Sequence, residues 1–172
     1  MRILRPLISL AILALAIFLL YQYVLWPIFF ENRAKIVHMI DADSYIVMQN
    51  GQLSKVQLIG ADAPETTFLN GKKVRQCFGG EATDLAANLF FKENRDVTLE
   101  SDPGAGEKDI HGRDLKYVYL ADGRMLNEEL IKEGLARVYF DKEHAYSKHE
   151  SFETLQEKAK EENKGLWDVC GK

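Results

Sequence analysis

Two acidic clusters and one arginine carry the chemistry open to this sequence. Asp41-x-Asp43-Ser44 is followed by Asp62-Ala63-Pro64-Glu65, and a polar, glycine-rich loop ends in His111-Gly112-Arg113. Acidic residues at strand ends and in loops can converge on one hard cation, and calcium accepts roughly six to eight oxygens in irregular geometry. A cation so placed polarises a phosphoryl oxygen and offsets the charge of an attacking hydroxide. A spare carboxylate can orient or deprotonate the water. An arginine can hold two phosphoryl oxygens and stabilise the charge that grows in the transition state. Taken singly, each piece has an ordinary structural explanation. Asp-x-Asp is common in turns, where Asp bonds its own backbone, Asp-Ala-Pro-Glu reads as a turn leaving a strand, and Gly-Arg in a polar loop is usually a solvated charge.

The elements that must position these groups are legible from periodicity. Ile36-Val37 with Met39-Ile40, then Tyr45 to Met48, then Val56, Leu58 and Ile59 read as three strands, with Asn50-Gly51 as a hairpin signal between the second and third. A loop is expected from Gly60 to Gly80. An amphipathic helix follows from near Glu81, with Ala82, Leu85, Ala86, Leu89 and Phe90 on one face. Val97 to Leu99 reads as a fourth strand, Ser101 to Arg113 as a polar loop and Leu115 to Leu120 as a fifth strand. Helices are expected over Met125–Glu133, ended by Gly134, and over His149–Asn163. Three strands, a helix, two strands and two helices make an α+β domain, and five short strands with helical additions fit a small Greek-key barrel of the OB type.

The chain has 172 residues, enough for one domain plus an appendage. The appendage is the run from Leu7 to Phe30, which contains no charge and only Ser9 and Gln22 as clearly polar residues. At about 1.5 Å per helical residue it is long enough for a hydrocarbon core of roughly 30 Å. Arg2 and Arg5 precede it. The run is long for a cleaved signal, and Ala14-Leu15-Ala16, the one A-x-A pattern, lies inside it. The reading is therefore a signal anchor over residues 1–30 and a globular domain over 31–172, with secretion after cleavage as the alternative. The two leading arginines favour a cytoplasmic N-terminus and an extracytoplasmic domain, periplasmic or on the cell surface, against the opposing bias of Arg33 and Lys35. Such a compartment permits Cys77 and Cys170 to pair, the alternative being two unpaired thiols. Their separation, with no compact Cys/His cluster, argues against zinc.

Charge excludes binding of nucleic acid by bulk electrostatics. The whole chain carries −4; without Arg2 and Arg5 the 22 basic residues become 20 against 26 acidic ones, or −6. Function must rest on local residues and a cation. His38, His111, His144 and His149 form no catalytic pair by spacing.

Taken together, the motifs resemble those of the thermonuclease, or staphylococcal-nuclease-like, family. The resemblance runs through IVHMIDADSYIV, VQLIGADAPE, FGGEA, DIHGRDLKYVYLADGRMLNEELIKEGLARVY and the terminal KGLW, and covers nearly all of residues 35 to 168. It implies an OB-type barrel with three helices and calcium-dependent cleavage of DNA and RNA, attack at phosphorus expelling the 5′ oxygen and leaving 3′-phosphate ends. By position, Asp43 and Asp62 resemble the calcium carboxylates, and Ala63 stands where a backbone carbonyl can reach the metal. Glu65 resembles the residue that orients or activates water, and Arg113 the arginine that stabilises the transition state and leaving group. Asp41 falls beside the site as a turn or supporting residue. The implied partners are a nucleic-acid substrate and, through the N-terminal helix, a membrane; no protein partner is inferred.

One departure matters. The family usually places a second arginine five residues before the Asp of DxPE, and here that position is Gln57. Glutamine donates a hydrogen bond but brings neither charge nor a two-point grip. If the absent arginine acts in the transition state, its loss costs about 10²–10³ in rate. Lys55 projects from the same strand face, and Arg75 lies on the following loop; these are the two candidate substitutes. Tyr139 and Phe140 offer rings for base stacking, against ordinary barrel packing. Ile110 stands where related enzymes can carry a phosphate-binding lysine. Two readings follow: a calcium-dependent nuclease, or a binding or scaffold module that keeps the barrel without efficient catalysis.

Overall fold

Alternation of buried and exposed side chains lays down the first strands. In β1 (Arg33–Met39) Ala34 and Ile36 point inward, and a bulge between Ile36 and His38 then resets the register against β2 (Ser44–Gln49). Asn50 and Gly51 both take positive φ, 51° and 78°, and turn the chain tightly into β3 (Gln52–Leu58). The computed structural model describes residues 4–21, 23, 32–69, 72–92, 94–141, 145–168 and 170.

After β3 come β4 (Ala61–Asp62), β5 (Thr66–Leu69), β6 (Lys72–Arg75) and helix α2 (Gly79–Lys92). Strands β7 (Asp96–Glu100) and β8 (Asp114–Leu120), helix α3 (Leu126–Lys132), β9 (Arg137–Val138), helix α4 (His149–Glu161) and a 3-10 turn (Gly165–Trp167) complete the chain. Five strands close into a barrel in the order β1-β2-β3-β8-β7. Strands β1–β2, β2–β3 and β7–β8 pair antiparallel, whereas β3 and β8 run parallel with Val56 beside Asp114, Gln57 beside Leu115 and Leu58 beside Lys116. At the β1–β7 seam the Ile36 amide donates to the Arg95 carbonyl at 2.9 Å. The barrel, OB-like and carrying three helices, has the α+β architecture expected from the pattern of elements.

The five barrel strands fall where alternation placed them. The Gly60–Gly80 stretch, expected as a loop, instead contains β4 and the β5–β6 hairpin, and α2 starts two residues earlier than expected. Thr66 to Leu69 and Lys72 to Arg75 show no alternation of apolar and polar residues, so period-2 hydrophobicity could not announce the ribbon. Its one local signal is Asn70-Gly71, which lies outside the described residues.

Tyr45, Val47, Val56, Val118, Leu126 and Phe152 are fully enclosed in the core, each large apolar side chain contributing about 1.5–3 kcal/mol by burial. Tyr45 meets Phe90 of α2 edge-on, ring centres 5.1 Å apart. Asn127 is also fully buried and fully used. Its Oδ1 accepts the Val118 amide at 3.1 Å and its Nδ2 donates to the Ile59 carbonyl at 2.9 Å, which bolts α3 to β8 and to the end of β3.

The chain divides into two units, Met1–Arg33 and Ala34–Lys172. The first contains α1 (Leu4–Leu20), whose Leu10, Ile12, Ile17 and Phe18 are each more than half exposed. No helix among the described residues is long and apolar enough to cross a membrane. Gln22 and Val24 to Phe30, expected to complete the span, lie outside the described residues.

Candidate active site

The β1–β2 turn presents the first acidic cluster. The Asp43 carbonyl accepts the Leu58 amide at 2.9 Å, so the turn is tied to the end of β3. The buried Asp43 carboxylate accepts the Ala63 amide at 2.8 Å, which draws the β4 loop against the same turn. Burial is the main force on the Asp43 carboxyl, and with a hydrogen bond and repulsion from Asp41 it pushes the group up to about 8 against the Ala63 amide and Gln57. One oxygen of Asp41 is buried without a hydrogen-bond partner. Asp62 is likewise raised, by burial first and then by the Glu65 carboxylate, while Arg137 opposes the shift.

Arg113 approaches from the opposite loop. Its Nε donates to Asp109 Oδ2 at 2.6 Å and its Nη1 to Ser44 Oγ at 2.8 Å. Ser44 Oγ in turn donates to Gln57 Oε1 at 2.5 Å. Gln57 also hydrogen-bonds the Asp43 carboxylate, so its amide is engaged on both sides. Asp109 anchors the arginine further by accepting the amides of His111 and Arg113 at 2.9 and 2.8 Å. Burial would raise the Asp109 carboxyl, but these bonds and the guanidinium hold it below its ordinary value.

A cleft of about 320 Å³ runs past these groups, bordered by Gln57, Asp62, Arg113, Ile110, Tyr139 and Tyr146 among others. Tyr139 is 60 % exposed at its edge and is tied to the barrel by donating its amide to the Gly60 carbonyl at 3.1 Å. Gly60 must be glycine there: φ is +68° and an added Cβ would lie 2.5 Å from the Tyr146 ring. A second cleft, about 430 Å³, holds Ala63, Glu65, Gln76 and Arg137 and shares Asp62 with the first. Lys55 is exposed on the outer face of β3 and borders neither cleft. The Arg75 side chain and His144 lie outside the described set. Phe140 stacks on His149, centres 4.0 Å apart. Cys77 and Cys170 are joined by a disulfide, with Cα atoms 6.0 Å apart.

Among the described residues no three or more His, Cys, Asp or Glu side chains are gathered as a ligand set. The ligands expected from sequence are two carboxylates and a main-chain carbonyl, which is a different kind of set. Sequence reasoning named Ser44 in the first cluster without giving it a role, and missed Asp109, Gln76 and Arg137. Asp109 had a usable signal, four residues before Arg113; the others depend on contacts distant in the chain.

Residues 55–169 match the family described as "Staphylococcal nuclease homologue". The chain is 38% identical over 137 residues to the thermonuclease of Staphylococcus hyicus, covering 80% of this chain and 76% of that one. It is 32% identical over 147 residues to endonuclease YncB of Bacillus subtilis, covering 82% and 66%. An uncharacterized endonuclease of Escherichia coli O157:H7 is 27% identical over 143 residues, covering 83% and 82%. The chain belongs to the staphylococcal nuclease family, whose enzymes are phosphodiester-cleaving hydrolases.

Proposed function

We propose that the chain is a calcium-dependent nuclease that cleaves DNA or RNA to 3′-phosphate ends and is tethered to a membrane by its N-terminal helix. The observation that carries the reading is the meeting of Asp62 and Arg113 along one cleft, with Asp43 bonded to the neighbouring Ala63 amide. In this reading Asp43, Asp62 and the Ala63 carbonyl hold the cation. The donors fit a hard divalent ion: all are oxygens, and the buried Asp43 carboxyl lies beside Asp41, one of whose oxygens is itself buried without a hydrogen-bond partner. Calcium, when bound, supplies Lewis-acid stabilisation of charge on the phosphoryl oxygens.

The chain's own groups do the remainder. Glu65 is exposed beside Asp62 and takes the role of orienting the water and accepting its proton. Arg113, fixed at Nε by Asp109 and at Nη1 by Ser44, keeps its remaining N–H groups for the equatorial oxygens and the departing 5′ oxygen. The exposed ring of Tyr139 at the cleft edge supports a role in stacking on a base.

Tethering outside the cytoplasm is supported by the apolar α1, continued in sequence to Phe30, and by the Cys77–Cys170 disulfide, which suits an oxidising compartment. The second reading, a binding module with little catalysis, is favoured by Gln57, whose amide is occupied by Ser44 and Asp43 and offers a phosphate no charge. The deciding experiment assays the purified full chain on single-stranded DNA with calcium and with chelator. The nuclease reading expects digestion that stops with chelator and is abolished by Glu65→Gln or Arg113→Ala. Digestion indifferent to both substitutions removes the site assignment. An inert wild type with an active Gln57→Arg variant establishes the second reading.

A further inference from the structure

The backbone of Glu65 is held from both sides by a single residue. Its carbonyl accepts the Gln76 amide at 3.0 Å, and its amide donates to Gln76 Oε1 at 3.1 Å. The β5–β6 ladder ends with Thr66 paired to Arg75, so the next pair would be Glu65 with Gln76. There the main-chain carbonyl of Gln76 is already taken, because it accepts the Gly79 amide at 2.9 Å as the chain turns into α2. The Gln76 side chain supplies the acceptor that the ladder would otherwise lack. Gly79 completes the seat: a Cβ there would lie 2.9 Å from the Glu65 carbonyl oxygen and 3.0 Å from that of Pro64.

The residue after Gln76 is Cys77, bonded to Cys170 across 93 positions. The far end of that bond is itself anchored. Leu166 donates its amide to the Gly134 carbonyl at 2.8 Å, and Arg137 lies over the Trp167 ring at 4.7 Å. The disulfide thus connects the segment that grips Glu65 to a tail fastened beyond α3. Both sulfur-bearing residues border the cleft that contains Glu65 and Asp62.

We propose that Gln76 and the Cys77–Cys170 disulfide are positioning residues for Glu65, so that reduction of the bond lowers the rate of the chemical step. The proposal rests on the reading of Glu65 as the water-activating carboxylate. A displacement of about 1 Å at such a group costs up to about 10²-fold in rate, whereas substrate affinity depends on other residues.

The test compares the full chain oxidised, the chain reduced with a phosphine, and the variants Cys77→Ser, Gln76→Met and Gln76→Glu. Steady-state cleavage of single-stranded DNA with calcium is measured alongside hydrogen exchange of the Glu65 amide without calcium or DNA. Reduction, Cys77→Ser and Gln76→Met are each expected to lower kcat about 10- to 100-fold with KM within about twofold. Each also speeds exchange at Glu65. Gln76→Glu, which keeps the acceptor, retains slow exchange. Unchanged kcat and unchanged exchange on reduction and in Gln76→Met overturn the proposal, as does a loss confined to KM. An inert oxidised wild type overturns the nuclease reading instead; the exchange measurement then decides separately whether Gln76 and the disulfide hold the Glu65 segment.

Discussion

Ser44 Oγ lies 2.8 Å from Arg113 Nη1, joining the start of β2 to the loop before β8 across 69 positions of sequence. The same hydroxyl donates to Gln57, so one small side chain orders both the resident guanidinium and the residue standing where the family's other arginine is expected. Ser44→Ala leaves Arg113 pinned by Asp109 alone and Gln57 Oε1 without its donor. The expected outcome is a fall of about tenfold in kcat and a loss of about 1–2 kcal/mol in stability. Steady-state kinetics and urea denaturation measure the two.

Gln57→Arg replaces an engaged neutral amide with a second guanidinium. The new group can donate to Asp43 but cannot accept from Ser44, so the serine hydroxyl is left to donate to Asp43 Oδ1, 3.3 Å away, while still accepting from Arg113. If transition-state charge is what the wild type handles poorly, kcat rises by about 10- to 100-fold. A variant that folds with an unchanged melting temperature and gains nothing shows that position 57 is not where rate is limited.

Asp102 fixes the loop entering the cleft. Its carboxylate accepts Tyr117 Oη at 2.8 Å, the Ser147 amide at 2.7 Å, Ser147 Oγ at 2.6 Å and the Gly104 amide at 2.8 Å. Burial works to raise the group, but these bonds win and hold it at about 2. A folded pKa below the unfolded value contributes stability above about pH 4, and that contribution is lost as pH falls through about 2, an amount near 2 kcal/mol. Asp102→Ala is expected to lower stability at neutral pH by at least that much and to flatten the acid limb between pH 4 and 2, read by denaturant titrations at several pH values.

Asp43 has the opposite sign. Its folded pKa, raised to about 8, means the folded state binds more protons than the unfolded one between about pH 4 and 8. In chelator, stability should decline as pH rises through that window. A cation bound to the ionised carboxylates reverses the penalty, so the rise in melting temperature on adding calcium should be larger at pH 8 than at pH 5. Asp43→Asn should flatten the decline and remove most of the calcium effect.

The barrel was legible because its strands bury alternate residues against one core, as with Val56 and Leu58 of β3. The acidic clusters and Arg113 were legible because their chemical types recur in an ordered set of motifs. What escaped was structure made by hydrogen bonds between remote positions. Asn127 looks like any polar residue in a short helix, yet it is buried between Val118 and Ile59. Gln76 has no pattern at all; its role appears only once its own carbonyl is seen to be occupied by Gly79. The β5–β6 ribbon escaped because its two short strands, TTFL and KKVR, carry no alternation of apolar residues.

The parallel seam between β3 and β8 has a consequence for synthesis. A polypeptide still emerging from the ribosome, ending short of Asp114, already contains Asp43, Gln57, Asp62 and Glu65 but has no strand to close the barrel beside Val56. Arg113 is the last residue before that strand, so the arginine reaches Ser44 only as the seam zips shut. On the proposed reading, cutting ability arrives only after Asp114–Leu120 has been synthesised, late in translation.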